Sequence, residues 1–162
     1  MTPQQIELVR RSWRRFAPPA PAVAIAFYER LFELNPSCRS LFAATDLAHQ
    51  GCRLMRMLHE IVGLLDQPEA LVGEVVRLGT RHAVYGVRDS DYGSVGAALL
   101  WTLEQELGPA FDDETRAAWA EAYLLVAWVM RRAIGRATGE FPVVLGEVLG
   151  HGVKRAVPPL EP

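Results

Sequence analysis

The chain has 162 residues, half of them hydrophobic, which suits one domain able to close a real core. Its net charge of −2 sets up no basic field for nucleic acid, and its longest apolar run, Tyr123 to Met130, is far too short to cross a bilayer. Cys38 and Cys52 make no disulfide framework and MTPQQIELVRR holds no apolar signal core, so a reducing cytoplasm is expected.

Nearly every segment reads as helix. Thr2 can cap, Pro3 suits a first helical position, and Gln5 completes a capping box. Ile6, Val9, Trp13 and Phe16 then share one stripe. APPAP (17–21) breaks the chain. The segment Ala22 to Leu34 is apolar nearly all round, which predicts burial on most sides. NPS (35–37) starts a short turn that ends at Leu41-Phe42. Asp46 is placed to cap a long helix running to about Leu65, and DQPE (66–69) opens the next one. VRDSDYG (87–93) reads as a turn with acidic or hydroxyl caps. Two long helices follow, roughly 90–107 and 112–134, split by GPAFDDE. Period-2 alternation is absent over any length, so the fold class is all-α. The stretch from about Thr138 has weak periodicity and reads as a tail.

Three polar residues stand out against this apolar background. Leu71, Val75, Leu78 and His82 recur at spacings of four, three and four, which puts His82 on a buried stripe. Gln50 begins the stripe Leu54, Met57, Leu58, Ile61 and Leu65. Tyr28 lies inside the apolar segment 22–34. Each alone fits a core residue bonded to a nearby carbonyl, because buried polar groups need partners. Together, on three helices, they suit a cofactor taking a nitrogen ligand on one face and a polar contact on the other. Haem does this.

The order of motifs then carries a resemblance. FYERLFELNPSCRSLF (27–42) resembles a globin B helix, the C-helix Pro and the Phe that wedges haem. HQGCRLMRML (49–58) resembles a distal E helix, and LGTRHAVYGV (78–87) an F helix with its proximal His. SDYGSVGAALLWTL (90–103) and AWAEAYLLVAWVM (118–130) resemble G and H helices. Over about residues 2 to 134 the chain resembles the bacterial single-domain globins, and most of all their flavohaemoglobin-like branch. Residues 1–137 are then the globin domain and 138–162 the tail.

The resemblance implies one haem b, held non-covalently since no Cys-x-x-Cys-His occurs. His82 is the implied proximal iron ligand. Phe42, Leu54, Val87 and Val95 are implied haem contacts, and Tyr28 and Gln50 implied donors to bound O2. His49 and Gln50 compete for the distal position. With His49 inward, Arg53 would follow it one turn on, a costly burial; with Gln50 inward, Leu54 follows and Arg53 turns out. Gln50 is the better register. Arg53 and Arg81 are then either partners of haem propionates or solvated arginines.

In the flavohaemoglobin-like branch the proximal His is supported by a G-helix Tyr and an H-helix Glu. Tyr92 fits the first. Ile134 stands at the second, and Glu121 lies too early in its helix. His82 is therefore expected to rely on a carbonyl of its own helix. The function implied is reversible binding of O2, with NO and CO as other ligands, in a monomer or weak homodimer without nucleic-acid or membrane partners. The rivals are an NO dioxygenase using a separate reductase, and a gas sensor.

Overall fold

The computed structural model describes residues 1–15 and 21–137, the side chains of Pro21 and of residues 134–137 excepted. Phe16 and the tail 138–162 lie outside the described residues. The architecture is all-α: α1 (Pro3–Arg15), α2 (Pro21–Leu34), a 3-10 helix (Pro36–Phe42), α3 (Leu47–Leu64), α4 (Pro68–Val84), α5 (Asp91–Leu107), a 3-10 turn (Gly108–Ala110) and α6 (Asp113–Ala137). No strand occurs among the described residues.

Helix boundaries follow local chemistry. At α1, Gln5 N–H donates to Thr2 Oγ1 at 3.2 Å while Thr2 N–H donates to Gln5 Oε1 at 2.7 Å. This reciprocal box satisfies donors that the first helical turn leaves open. At α3, Asp46 Oδ1 accepts from Ala48 N at 2.9 Å and His49 N at 3.2 Å. Pro36 and Pro68 open their helices where a missing N–H costs nothing. The start of α5 departs from expectation. Ser90 makes no side-chain capping bond, because its backbone is already helical. Asp91 instead turns its carboxylate inward and is buried.

One core joins all six α-helices. Helix α2 buries Val23, Ala24, Phe27, Tyr28, Leu31 and Phe32. It is not sealed all round as its composition suggested: Ile25 and Leu34 are each 41% exposed. Two close helix crossings set the frame. A Cβ on Gly51 would stand 2.3 Å from Ala24 Cβ, so α3 meets α2 at nearly backbone distance. A Cβ on Gly79 would stand 2.8 Å from the Met130 carbonyl oxygen, so α4 lies as close to α6. Helix α1 is fastened at both sides. Trp119 Nε1 on α6 donates to buried Ser12 Oγ at 2.9 Å. Arg10 reaches both carboxylate oxygens of Asp66 and, at 3.0 Å, the Gly63 carbonyl at the end of α3.

Candidate functional site

His82 sits on the last turn of α4, half-buried behind the buried residues Leu71, Val75 and Leu78. Its Nδ1 lies 2.8 Å from the Leu78 carbonyl oxygen. A carbonyl only accepts, so Nδ1 carries the proton and donates. Nε2 is then left as the unprotonated nitrogen, the form that ligates a metal. The acceptor is the carbonyl of its own helix that the sequence led us to expect. Past His82 the chain turns tightly. Val87 N–H donates to the His82 carbonyl at 3.1 Å, and Gly86 takes φ 77°, a left-handed conformation open to glycine.

A second group forms between α2, the 3-10 helix and α3. Tyr28 is buried, with its ring centroid 5.1 Å from that of Phe42. Phe42 also meets Phe32 at 5.7 Å. Burial pushes the Tyr28 phenol up to about 12, against a smaller opposing effect from its hydrogen bond with Gln50. Held this high, the phenol keeps its proton across the ordinary pH range and is available as a donor. Helix α3 leaves Gln50, Leu54 and Met57 half-buried and exposes His49 and Arg53. The Gly51–Ala24 contact lies one residue from Gln50 and one turn from Tyr28, and so sets how close the two side chains come.

Other candidates are distributed differently. Val87 and Val95 are half-buried at the margin of the core. Arg53 and Arg81 are exposed, and Arg81 pairs with Glu74 at 3.7 Å. Tyr92 is buried, and its hydroxyl has no hydrogen-bond partner among the described residues. Burial, with a smaller effect of Asp89, raises its pKa. Among the described residues no carboxylate from α6 bonds it. Glu121 is exposed, and the side chain of Ile134 lies outside the described residues.

The sequence reading missed Tyr123. Its ring lies where a side chain on Gly96 would be, 2.5 Å from that position, and its hydroxyl donates to the Tyr92 carbonyl. It also read Asp91 only as part of the turn 87–93 with its acidic or hydroxyl caps. The interior glycines 51, 79 and 96 were the available signal, since glycine inside a helix often marks a close approach.

A globin family model matches residues 25–130. Over 138 residues the chain is 28% identical to neuroglobin of Danio rerio, covering 77% of this chain and 87% of that protein. It is 33% identical over 104 residues to a flavohemoprotein of Rhizobium meliloti (strain 1021), covering 63% of this chain but only 26% of that protein. Among solved structures, the hexacoordinated heme protein of an anhydrobiotic tardigrade, determined at pH 4, has a TM-score of 0.74 at 16% identity. That likeness covers 83% of this chain and 95% of the other. With well over half of its length matched by the family model, the chain belongs to the globin family.

Proposed function

We propose that this chain holds one haem b non-covalently through His82 and binds O2 reversibly, with NO and CO as further ligands. The observation that carries the reading is the hydrogen bond from His82 Nδ1 to Leu78, which leaves Nε2 as a free donor atom. Among the described residues no three His, Cys, Asp or Glu side chains cluster to hold a metal ion. A lone imidazole needs a ligand that brings the remaining donors, and a tetrapyrrole does so. The half-buried apolar side chains of Phe42, Leu54, Val87 and Val95 suit its apolar faces. The orphaned Tyr92 hydroxyl suits its polar edge or the neighbourhood of His82.

When bound, haem supplies an iron whose open face takes a diatomic gas. The chain supplies the rest. His82 is held in one tautomer and one orientation by Leu78, a neutral acceptor that leaves the imidazole less basic than a carboxylate would. Tyr28 and Gln50 bring a phenol O–H and an amide N–H to the distal side. A hydrogen bond to a charged group is worth about 1.5–3 kcal/mol, roughly tenfold to a hundredfold in affinity. O2 polarises more than CO on binding, so these donors favour its retention.

The likeness to neuroglobin supports a non-enzymatic haem globin, while the partial likeness to the flavohemoprotein keeps the dioxygenase with a separate reductase as the second reading. With no carboxylate hydrogen-bonded to the Tyr92 hydroxyl among the described residues, the electron push useful to NO dioxygenation is weak. Nor is the hexacoordination of the tardigrade neighbour expected here: His49 and His59, the two histidines of α3, are both exposed, and Gln50 takes the inward place. We place the protein in the cytoplasm and nearest the flavohaemoglobin-like branch. Stopped-flow O2 dissociation from the reduced holoprotein tests the function. Slow release with negligible NO turnover beside a flavodoxin or ferredoxin reductase is expected. Rapid NO turnover in that assay would replace the carrier by a dioxygenase that borrows electrons.

A further inference from the structure

The site proposed for haem has two walls that are far apart in sequence. One is the 3-10 helix Pro36–Phe42, which ends in Phe42. The other is the corner between α4 and α5, which holds Val87 and is bonded to His82 through the His82 carbonyl. Between these walls lies Asp91, only 1% exposed. Its Oδ2 accepts from Arg88 N at 2.9 Å and Arg88 Nε at 3.4 Å. Its Oδ1 accepts from Asn35 Nδ2 at 3.0 Å and from a terminal Arg88 nitrogen at 3.2 Å. Arg88 also donates to Ser37 Oγ, and Ser37 Oγ donates to Asn35 Oδ1, both at 2.6 Å, so the four side chains close a ring. The buried Cys38 lies beside it, and burial, with a smaller effect of Asp91, raises its thiol pKa.

A carboxylate is costly to bury, and is stable there only when charge and donors surround it. This one joins residues 56 apart in the chain. Asn35 and Cys38 belong to the segment that places Phe42 against Tyr28. Arg88 is the residue after Val87. We propose that Asp91 is a positioning residue that holds the Phe42 wall and the His82 corner at a fixed separation, and so governs how firmly haem is retained. The proposal rests on the haem-binding reading above. Asp91 itself touches neither haem nor gas; it acts through Arg88 and Asn35. Loss of its charge unfastens the α4–α5 corner from the 3-10 helix, and His82 and Phe42 then move independently.

The test compares Asp91→Asn with Asp66→Asn, which breaks an ion pair between α1 and the end of α3, away from either wall. Haem transfer from each ferric holoprotein to excess apomyoglobin is followed, with resonance Raman of the ferrous iron–histidine stretch. Asp91→Asn should lose haem about tenfold faster or more, the scale on which outer-shell partners alter metal affinity, and should broaden the iron–histidine band. Asp66→Asn should change neither. Equal haem loss in both variants would reduce Asp91 to a contributor to general stability and overturn the proposal. Should Asp91→Asn fail to fold, Arg88→Leu keeps the Asn35–Asp91 bond and removes the Ser37 link. Haem retention at the parent's rate in Arg88→Leu would equally overturn it. If the parent takes up no haem, the underlying reading falls and this one with it; if the parent holds haem and Asp91→Asn matches it, this one falls alone.

Discussion

At the residue scale the sharpest feature is the pair proposed for the distal side. Tyr28 and Gln50 come from helices read separately in the sequence, and the structure brings them close enough for Gln50 to lower the phenol's pKa slightly against the larger effect of burial. Tyr28→Phe and Gln50→Leu should each speed O2 dissociation about tenfold or more, with a smaller change for CO, as expected for donors worth about 1.5–3 kcal/mol to a charged acceptor. Parent-like O2 release in both variants would remove them from the ligand site. The phenol's elevation to about 12 adds a second expectation. Its O–H stays a donor wherever an ordinary tyrosine, with pKa about 10, would begin to ionise. O2 release should therefore show no Tyr28-linked acceleration up to about pH 10, and a rise there would mean that Tyr28 is solvated. His82, Tyr28 and Gln50 stood out as candidates because polar groups on apolar stripes demand an explanation. The orphaned Tyr92 hydroxyl was not, since a missing partner has no mark in sequence.

At the scale of elements, periodicity and caps foretold most of the helices. The Thr2–Gln5 box, the Asp46 cap and the prolines at 36 and 68 act where their chemistry predicts. The errors came where a side chain chose a tertiary partner over a local one. The turn 87–93 reads in sequence as holding acidic or hydroxyl caps, and its Asp91 serves as a buried bridge in the fold. Helix spacing was equally hidden in glycines that local propensity counts only as weak points. Gly51→Ala tests one of them. Its Cβ would fall 2.3 Å from Ala24 Cβ, so α3 must shift outward from α2. Overpacking of this kind costs typically about 1–3 kcal/mol, and it should also part Gln50 from Tyr28. A lowered melting temperature together with faster O2 release is expected. A variant that loses stability but keeps the parent's O2 kinetics would show that this crossing does not set the distal geometry.

At the scale of the whole molecule, one buried carboxylate makes stability depend on pH. Burial alone would raise the Asp91 pKa, but the Arg88 N–H, its guanidinium and Asn35 outweigh it, and the net shift is downward. A depressed folded pKa gives stability that is present above the unfolded value, about 3.9 for Asp, and is lost as pH falls toward the folded one. Urea midpoints of the apoprotein should thus fall steeply below about pH 4. Asp91→Asn should flatten that limb, and an unchanged limb would place the acid sensitivity elsewhere. The central claim concerns His82, and its most direct test is a haem titration followed in the Soret region. The parent is compared with His82→Gly, with and without added imidazole. One haem should bind per parent chain. The variant should bind weakly, and imidazole entering the space left by the side chain should restore the parent's ferrous spectrum. Stoichiometric binding by His82→Gly without imidazole, with the parent's ferrous spectrum, would contradict the account.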